Sequence, residues 1–467
     1  MKRSSLFFIT LFCAVPAILQ ADNAVMVIVN GDPPNVGFND PTPADPVGGN
    51  TGKTIGEQRQ IAFQTAADKW WATISSPVII RVLATWEALS CTANSGVLGS
   101  AGAGSFFRDF KNAPRSFTWY SKAQANTFAE TDISPSTTEI RARFNVNLGK
   151  SNCLAGSSFY LGLDNNAGTV NIDLVTVLTH EFAHGLGFQT LTSGSTGAMA
   201  GGFPSIWDYF LLDTTLGLTW DQMTDDQRAA SAIRPGTLVW NGSFVTTWAP
   251  TVLKAGVPRL LITQPDGTKT TYQVGTATFG PTLTPDGISG TVVHITDVDA
   301  NTGLACDPLS DANAAAVAGN ILLLDRGTCP FTTKVENAQN AGATAVIIAD
   351  NAAGSPPAQL GGTDPVVTIP AVRITLDDGK ALKAALQNQA FAATLGTDPS
   401  LLQGADSSGR VLMYAPNPYT SGSSVSHFDA SSVPSLLMGP FFNSDLTHEV
   451  RPPKDLTLRL FQDIGWK

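Results

Sequence analysis

The chain has 467 residues, of which 43% are hydrophobic, and its formal net charge at pH 7 is −10. This length and apolar content exclude a disordered polypeptide and suffice for two or three packed domains. The acidic balance argues against nucleic acid or an anionic membrane as a partner, and we interpret it as a contribution to solubility.

The first residues have the pattern of a secretory signal. Two basic residues precede an apolar stretch from Leu6 to Leu19, and Ala21 is a suitable last residue before the cleavage point. No later stretch is long and apolar enough to span a bilayer. The sequence therefore predicts a signal peptide over 1–21 and a mature protein that is secreted, either to a periplasm or to the cell exterior.

Four cysteines follow this segment, and an exported protein with an even number of cysteines is expected to form disulfides. Four cysteines allow three pairings. Proximity within the domains proposed below favours Cys91 with Cys153 and Cys306 with Cys329. A cysteine-bound zinc site is not expected, because no two cysteines are separated by only two residues.

The predicted elements of the first part of the mature chain belong to an α+β domain. Thr54 begins a capping box, so a helix is predicted near 55–74. Residues 78–86 and 140–148 are rich in β-branched and apolar residues and are predicted strands. Residues 91–105 are rich in Gly, Ser and Ala and are predicted to form a loop. A second helix follows these strands, and this order of elements is typical of an α+β fold.

The second helix has a distinct apolar face. Asp173 or Asn171 can cap its start, and Gly187 permits a sharp turn at its end. Apolar side chains recur at every fourth position: Leu174, Leu178, Phe182 and Leu186. His180 and His184 lie about 200° around the helix from this stripe, at ~100° per residue. They are therefore predicted to face away from the core, which disfavours the alternative of two hydrogen-bonded core histidines.

His180, Glu181 and His184 form the pattern His-Glu-x-x-His. Histidines four positions apart lie one turn apart on one helix face, so both imidazoles can bind the same Zn²⁺. Glu181 is then placed as a general base beside the attacking water. The other His-Glu pair, at His448, lacks the second histidine. The pattern predicts a zinc hydrolase with His180 and His184 as metal ligands and Glu181 as the catalytic residue.

The region over 253–396 differs in character, because predicted strands alternate there with a helix. Residues 321–324 and 345–349 read as buried strands around a helix over 331–341, which makes a βαβ unit. The run Gly-Asn-Ile-Leu-Leu-Leu-Asp-Arg-Gly-Thr-Cys-Pro-Phe from Gly319, with Ile-Pro-Ala-Val further on, resembles the protease-associated (PA) domain. The resemblance implies an α/β module without chemistry of its own, which acts as a lid or a substrate-binding unit on a peptidase.

Zinc held by two histidines needs a further protein ligand, with one position left for water. The compact metzincin pattern would place a histidine at position 190, where this chain has Thr190. The residues alone leave five candidates open: Asp208, Asp213, His294, His427 and His448.

Two late segments resemble the leishmanolysin-like metallopeptidases. Ser-Val-Ser-His-Phe-Asp around His427, with Leu-Leu-Met-Gly-Pro around Met438, is similar to the part of that family that holds the third histidine and the methionine of the Met-turn. Residues 456–466 resemble the family's closing helix. The resemblance implies His427 as the third ligand and Met438 as an apolar floor beneath the metal. The chain departs from the family in its inserted PA domain and in having no cysteine for a latency switch between the predicted cleavage point and Thr54.

The sequence therefore predicts a metzincin-like zincin domain of α+β class over 22–252 and 397–467, interrupted by an α/β PA domain over 253–396. We expect a monomeric, secreted endopeptidase that binds Zn²⁺ and hydrolyses peptide bonds in a protein or peptide substrate with Glu181 as base. Two alternatives stay open: a secreted binding protein that keeps the zincin scaffold without catalysis, and a zinc hydrolase of a glycan or an ester. The intact Glu181 argues against the first of these.

Overall fold

The computed structural model describes residues 25–295 and 303–467. The predicted signal peptide over 1–21 lies outside the described residues. Among the helices in these two ranges, none combines the length and the apolar content that a membrane crossing requires.

The chain before the insertion has a mixed α/β architecture. Its described helices are α1 Ile55–Trp71, α2 Lys122–Ala129, α3 Leu174–Leu186, α4 Asp225–Ser231 and α5 Ser243–Val252. Its described strands are β1 Met26–Asn30, β2 Ile80–Glu87, β3 Gly99–Ala103, β4 Phe106–Phe107, β5 Tyr120–Ser121, β6 Ile140–Asn145, β7 Phe159–Tyr160, β8 Ile172–Asp173, β9 Leu211–Asp213, β10 Leu218–Thr219 and β11 Leu238–Trp240.

A four-stranded sheet in the order β1-β2-β6-β3 lies against α3. β1, β2 and β6 are parallel, and β3 runs antiparallel to β6 at the edge. The side chains of β2 that face the helices are buried: Ile80, Val82, Ala84 and Trp86. Phe63 of α1 joins the layers, because its ring centroid lies 4.9 Å from that of Phe144 in β6 and 6.1 Å from that of Phe182 in α3. The helices therefore pack on one face of this sheet.

The predicted loop over 91–105 is wrong in its second half, because β3 lies there. β3 has the sequence Gly-Ser-Ala-Gly-Ala and is half-buried along its length. It contains no β-branched or aromatic residue, so its sequence carries no strand signal. The strand forms through its hydrogen bonds to β6, with Gly99 opposite Phe144 and Ala103 opposite Ile140, and not through the strand preference of its own residues.

The inserted region forms one eight-stranded sheet with helices on its faces. Its strands are β12 Ala255–Thr263, β13 Lys269–Gln273, β14 Gly275–Thr276, β15 Ile288–His294, β16 Ile321–Asp325, β17 Ala345–Ala349, β18 Ala371–Ile374 and β19 Ala392–Leu402. Its described helices are α6 Asp311–Val317, α7 Phe331–Asn340 and α8 Leu376–Leu386. The strand order is β13-β12-β19-β15-β16-β17-β18-β14.

The βαβ unit predicted from the sequence is confirmed by β16, α7 and β17. β15, β16, β17 and β18 are parallel neighbours. Alternate residues of β16 enter two separate hydrophobic clusters, Ile321 and Leu323 on one face and Leu322 and Leu324 on the other. Burial on both faces explains why this strand reads as a continuous apolar run.

The insertion begins and ends on adjacent strands. β12 pairs antiparallel with β19, with Ala255 opposite Leu402, and the amide of Gln403 donates to the carbonyl of Lys254 at 2.8 Å. The expected domain limit at residue 396 falls inside β19.

The chain after the insertion returns to the first part. Its helix α9, Thr457–Asp463, carries Phe461, whose ring lies 5.2 Å from Trp70 of α1. A single hydrophobic cluster holds side chains from both flanking parts, from Met26 to Trp466. The two disulfides join Cys91 to Cys153 and Cys306 to Cys329, which confirms the pairing favoured by proximity.

Candidate metal centre

Three histidine side chains converge at the open side of α3. The Nε2 atom of His184 lies 3.1 Å from Nε2 of His180 and 3.2 Å from Nε2 of His427. The third side of this triangle, from His427 to His180, is 3.3 Å. His427 comes from the segment after the insertion, so the fold joins residues that lie far apart in the chain.

The other nitrogen of each ring is fixed by a backbone carbonyl. Nδ1 lies 2.7 Å from the carbonyl oxygen of Leu437 in His180, 2.7 Å from that of Phe188 in His184, and 2.8 Å from that of Ser423 in His427. A carbonyl can only accept, so each Nδ1 carries the proton and donates it. The three Nε2 atoms therefore present lone pairs to one another.

Burial keeps these rings neutral. It lowers the pKa of His180, lowers that of His184 to about 3, and holds that of His427 well below its ordinary value, with the neighbouring histidines adding to the effect at His184 and His427. Neutral imidazole is the form that binds metal ions.

The donor set fits a zinc ion. Tetrahedral coordination with zinc to nitrogen bonds of ~2.0–2.1 Å separates the nitrogens by about 3.3 Å, which is close to the three spacings found here. Without a cation, three facing lone pairs in a buried site would lack any partner. Among the described residues, these three form the one group of three or more histidine, cysteine or acidic side chains whose donor atoms all lie within 4.8 Å of one another.

The capping residues of α3 set the position of the two helical histidines. Asp173 Oδ1 accepts from the amide of Thr176 at 2.8 Å, which confirms one of the two predicted caps. At the other end Gly187 has φ +123°, and its amide donates to the carbonyls of Ala183 and His184. This turn brings the carbonyl of the next residue against His184.

Glycines allow the close packing around the site. A Cβ at Gly185 would lie 2.4 Å from a methyl carbon of Ile140, so the glycine after His184 lets α3 lie directly on β6. A Cβ at Gly99 would lie 3.2 Å from Glu181 Cγ. The edge strand β3 therefore passes beside the acid.

Glu181 is buried on the same side of α3 as the histidines. Burial raises its pKa to about 8, and a hydrogen bond from the backbone of Ala101 partly opposes this rise. A carboxylate with a raised pKa is a better proton acceptor than one at its ordinary value. Glu181 thus lies in the same cleft wall as the histidines.

The other candidates for a third ligand are engaged elsewhere. Asp208 accepts from the hydroxyls of Thr190 and Thr192 at 2.7 and 2.8 Å, and Asp213 binds Arg234. His294 lies in β15 of the inserted sheet. None of these joins the histidine triangle.

His448 lies at the N-terminal end of α3, where it contacts the residue that caps the helix. Its Nε2 lies 2.7 Å from Asp173 Oδ1, the same oxygen that caps the helix. The sequence did not predict this pair, since the two residues lie far apart in the chain.

The turn that carries Met438 is fixed by an acid that the sequence did not single out. Asp455 is buried, and its carboxylate accepts from the amide of Leu437 at 2.6 Å and from that of Thr457 at 2.7 Å. Burial raises the pKa of Asp455. Because the carbonyl of Leu437 binds His180, Asp455 supports the histidine indirectly.

A cleft of about 1290 Å³ opens over the histidines. One wall is the edge strand β3 and the loop before it, and another contains Tyr419, Ser423 and Ser424 from the segment that leads to His427. Phe441 and Phe442 form an apolar rim; Phe441 is 57% exposed. The histidine triangle therefore faces an open groove.

The inserted sheet touches this wall through a loop. The amide of Ser355 donates to the carbonyl of Asn417 at 3.0 Å, and the amide of Asn417 donates back at 2.9 Å. Tyr419, two residues later, lines the cleft.

Comparison with known proteins identifies the insertion. Residues 288–382 match the PA domain family, which confirms the PA domain predicted from the sequence. A probable lipoprotein aminopeptidase of Mycobacterium tuberculosis is 37% identical over 99 residues, which are 21% of this chain and 19% of that protein. Vacuolar-sorting receptor 3 of Arabidopsis thaliana is 31% identical over 140 residues, 27% of this chain and 22% of the receptor. The chain thus spans about a fifth of the length of these curated relatives.

Solved structures give only weak likeness. An aminopeptidase from Aneurinibacillus sp. strain AM-1 is 20% identical, covers 42% of each chain and has a TM-score of 0.24. A TM-score this low bears on neither the fold nor the activity of this chain.

Proposed function

We propose that this protein is an exported zinc-dependent endopeptidase of the leishmanolysin-like metzincin type. Its zincin domain would comprise 22–252 and 397–467, with the PA domain inserted between them, and its substrate would be a protein or peptide. The observation that carries the proposal is the triangle of His180, His184 and His427, whose Nε2 lone pairs meet within 3.3 Å while every Nδ1 is tied to a carbonyl.

Glu181 and the edge strand support a hydrolase acting on an extended chain. A zinc ion held by the three histidines would polarise the scissile carbonyl and acidify the attacking water. Glu181 accepts the proton of that water on a carboxylate oxygen and delivers it to the departing amine nitrogen. β3 is the last strand of its sheet, so its outer edge can pair with a peptide backbone and hold it beside Glu181.

The size of the cleft supports a polymeric substrate. Pockets for single small ligands measure roughly 300–1,000 Å³, and this cleft is larger. The relatives that share sequence with the chain include both an aminopeptidase and a sorting receptor by name. The PA domain alone therefore leaves function open, and the histidine triangle with Glu181 is what favours a peptidase.

The test is casein hydrolysis by the mature chain beside Glu181→Gln, with zinc measured in both by mass spectrometry. Glu181→Gln keeps the shape and removes the base, so it should retain zinc and lose roughly 10²–10⁴-fold in turnover. Glu449→Gln, which alters the exposed glutamate of the other His-Glu pair, is the matched control and should keep full activity.

Unchanged turnover in the zinc-loaded Glu181→Gln variant would reject Glu181 as base. Bound zinc with hydrolysis of esters or glycans instead of casein would assign another substrate class. Bound zinc with no hydrolysis at all would favour the binding-protein alternative.

A further inference from the structure

The charges that line the cleft are few. Among the described residues of its walls, Arg143 and Glu181 are the only side chains of the Lys, Arg, Asp and Glu types. Glu181 belongs to the proposed reaction. Arg143 has no part in that reaction. The chain has 28 basic and 38 acidic side chains, so a basic residue in the cleft is not explained by the overall composition.

Arg143 lies on the face of the sheet away from α3 and borders the cleft. It lies in β6 directly opposite Ser100 of β3, and both residues line the cleft. Side chains opposite each other on neighbouring strands share one face of the sheet. Because Ser100 is small, the long guanidinium arm can extend past it toward the outer edge of β3.

The guanidinium of Arg143 has no partner within the described ranges, neither an ion pair nor a hydrogen bond. On β2 the residue opposite Arg143 is Thr85, and the carboxylate of Glu87, two residues further along that strand, accepts from the hydroxyl of Thr85 at 2.7 Å. Arg143 is half-buried. An arginine stays charged at every working pH, and a half-buried one gains most from a carboxylate bound through two hydrogen bonds.

We propose that Arg143 binds a carboxylate side chain of the substrate, so that the cleft selects peptides with Asp or Glu at one position along β3. This inference rests on the proposed function. A peptide paired with β3 turns alternate side chains to the face that Ser100 and Arg143 share. A carboxylate at such a position meets the guanidinium, whereas a lysine there meets a like charge.

The experiment separates binding from cleavage. Fluorescent peptides with one fixed scissile sequence carry Glu, Gln or Lys at each flanking position in turn, and their binding to zinc-loaded Glu181→Gln is measured by anisotropy. At one position the Glu peptide should bind about 10-fold more tightly than the Gln peptide, the order expected for hydrogen bonds to a charged group. Adding Arg143→Gln should remove this ratio, and Arg143→Glu should reverse it in favour of Lys.

Arg141→Gln is the matched control. Arg141 lies two residues earlier on the same face of β6, is exposed and does not line the cleft, so its loss should leave the ratio unchanged. Zinc content and melting temperature check that each variant is folded. The same peptides are then offered to the parent enzyme, where kcat/KM should show the same preference.

Equal binding of Glu and Gln peptides at every position, or a Glu preference that survives Arg143→Gln, overturns the role of Arg143. A Glu preference in binding without cleavage by the parent enzyme would support Arg143 and reject the peptidase. Cleavage without any charge preference would support the peptidase and reject the role of Arg143.

Discussion

The histidine site and the PA domain are built in contrasting ways. In the PA domain, β16, α7 and β17 follow one another directly along the chain and form adjacent parts of the sheet. In the histidine site, His180 and His427 lie on opposite sides of the whole insertion and meet only because one hydrophobic cluster draws on both flanking parts. The site therefore depends on contacts between residues far apart in the chain, whereas the PA domain depends mostly on contacts between consecutive elements.

The largest effect is expected from removing the histidine that the segment after the insertion contributes to the site. His427→Ala should abolish zinc retention during dialysis against a chelator, with a loss of affinity beyond the roughly 10–100-fold seen when outer-shell partners are removed. Zinc content after dialysis is the measurement. His294→Ala, which alters a histidine of the PA domain, should keep the zinc. Full occupancy in the His427→Ala protein would reject the triangle as the metal site.

A smaller effect is expected from the support beneath His180. Asp455→Ala removes the acceptor of the Leu437 amide and should weaken zinc binding by about 10-fold, as losses in the outer shell typically do. Competition with a chromogenic chelator measures this change. Asp455→Asn retains one amide acceptor and should lie between the parent and Asp455→Ala. Identical affinities in all three proteins would show that the turn holds its place without Asp455.

The smallest effect tests whether the two regions are coupled. Ser355→Pro removes the amide that donates to Asn417, and the loss of one hydrogen bond should speed amide exchange over 417–424 by roughly 2–10-fold. Hydrogen exchange by mass spectrometry reports this, and zinc content should stay unchanged. Ser355→Ala keeps the amide and serves as the control. Exchange that is equally fast in both variants would mean that the backbone pairing contributes nothing.

The same contrast explains what the sequence could predict. α3 was predicted with its cap, its apolar stripe and its terminal glycine, because each of these is a local signal. The βαβ unit of the PA domain was predicted for the same reason. β3 was missed, since its Gly, Ser and Ala residues become a strand only by pairing with β6. No local signal marks Arg143, because its position beside the cleft follows from the pairing of β6 with β3.

The third histidine marks the limit of residue-based reasoning. Spacing alone leaves five candidates, and only a family resemblance favours His427; its place beside His180 depends on the tertiary fold. The carbonyls of Leu437, Phe188 and Ser423 that orient the rings could not be foreseen either. Backbone groups are present at every residue, so they leave no mark in a sequence.

The adjacent ends of the insertion have a consequence for the history of the molecule. Ala255 and Leu402 are partners across β12 and β19, so the chain leaves and rejoins the flanking domain at almost one point. A segment with neighbouring ends can be gained or lost in one genetic event without displacing its host, and a short turn can replace it. The PA domain is thus attached in a way that would allow its replacement without a change in the flanking domain. Two domains of separate evolutionary origin can be combined in one chain in this way.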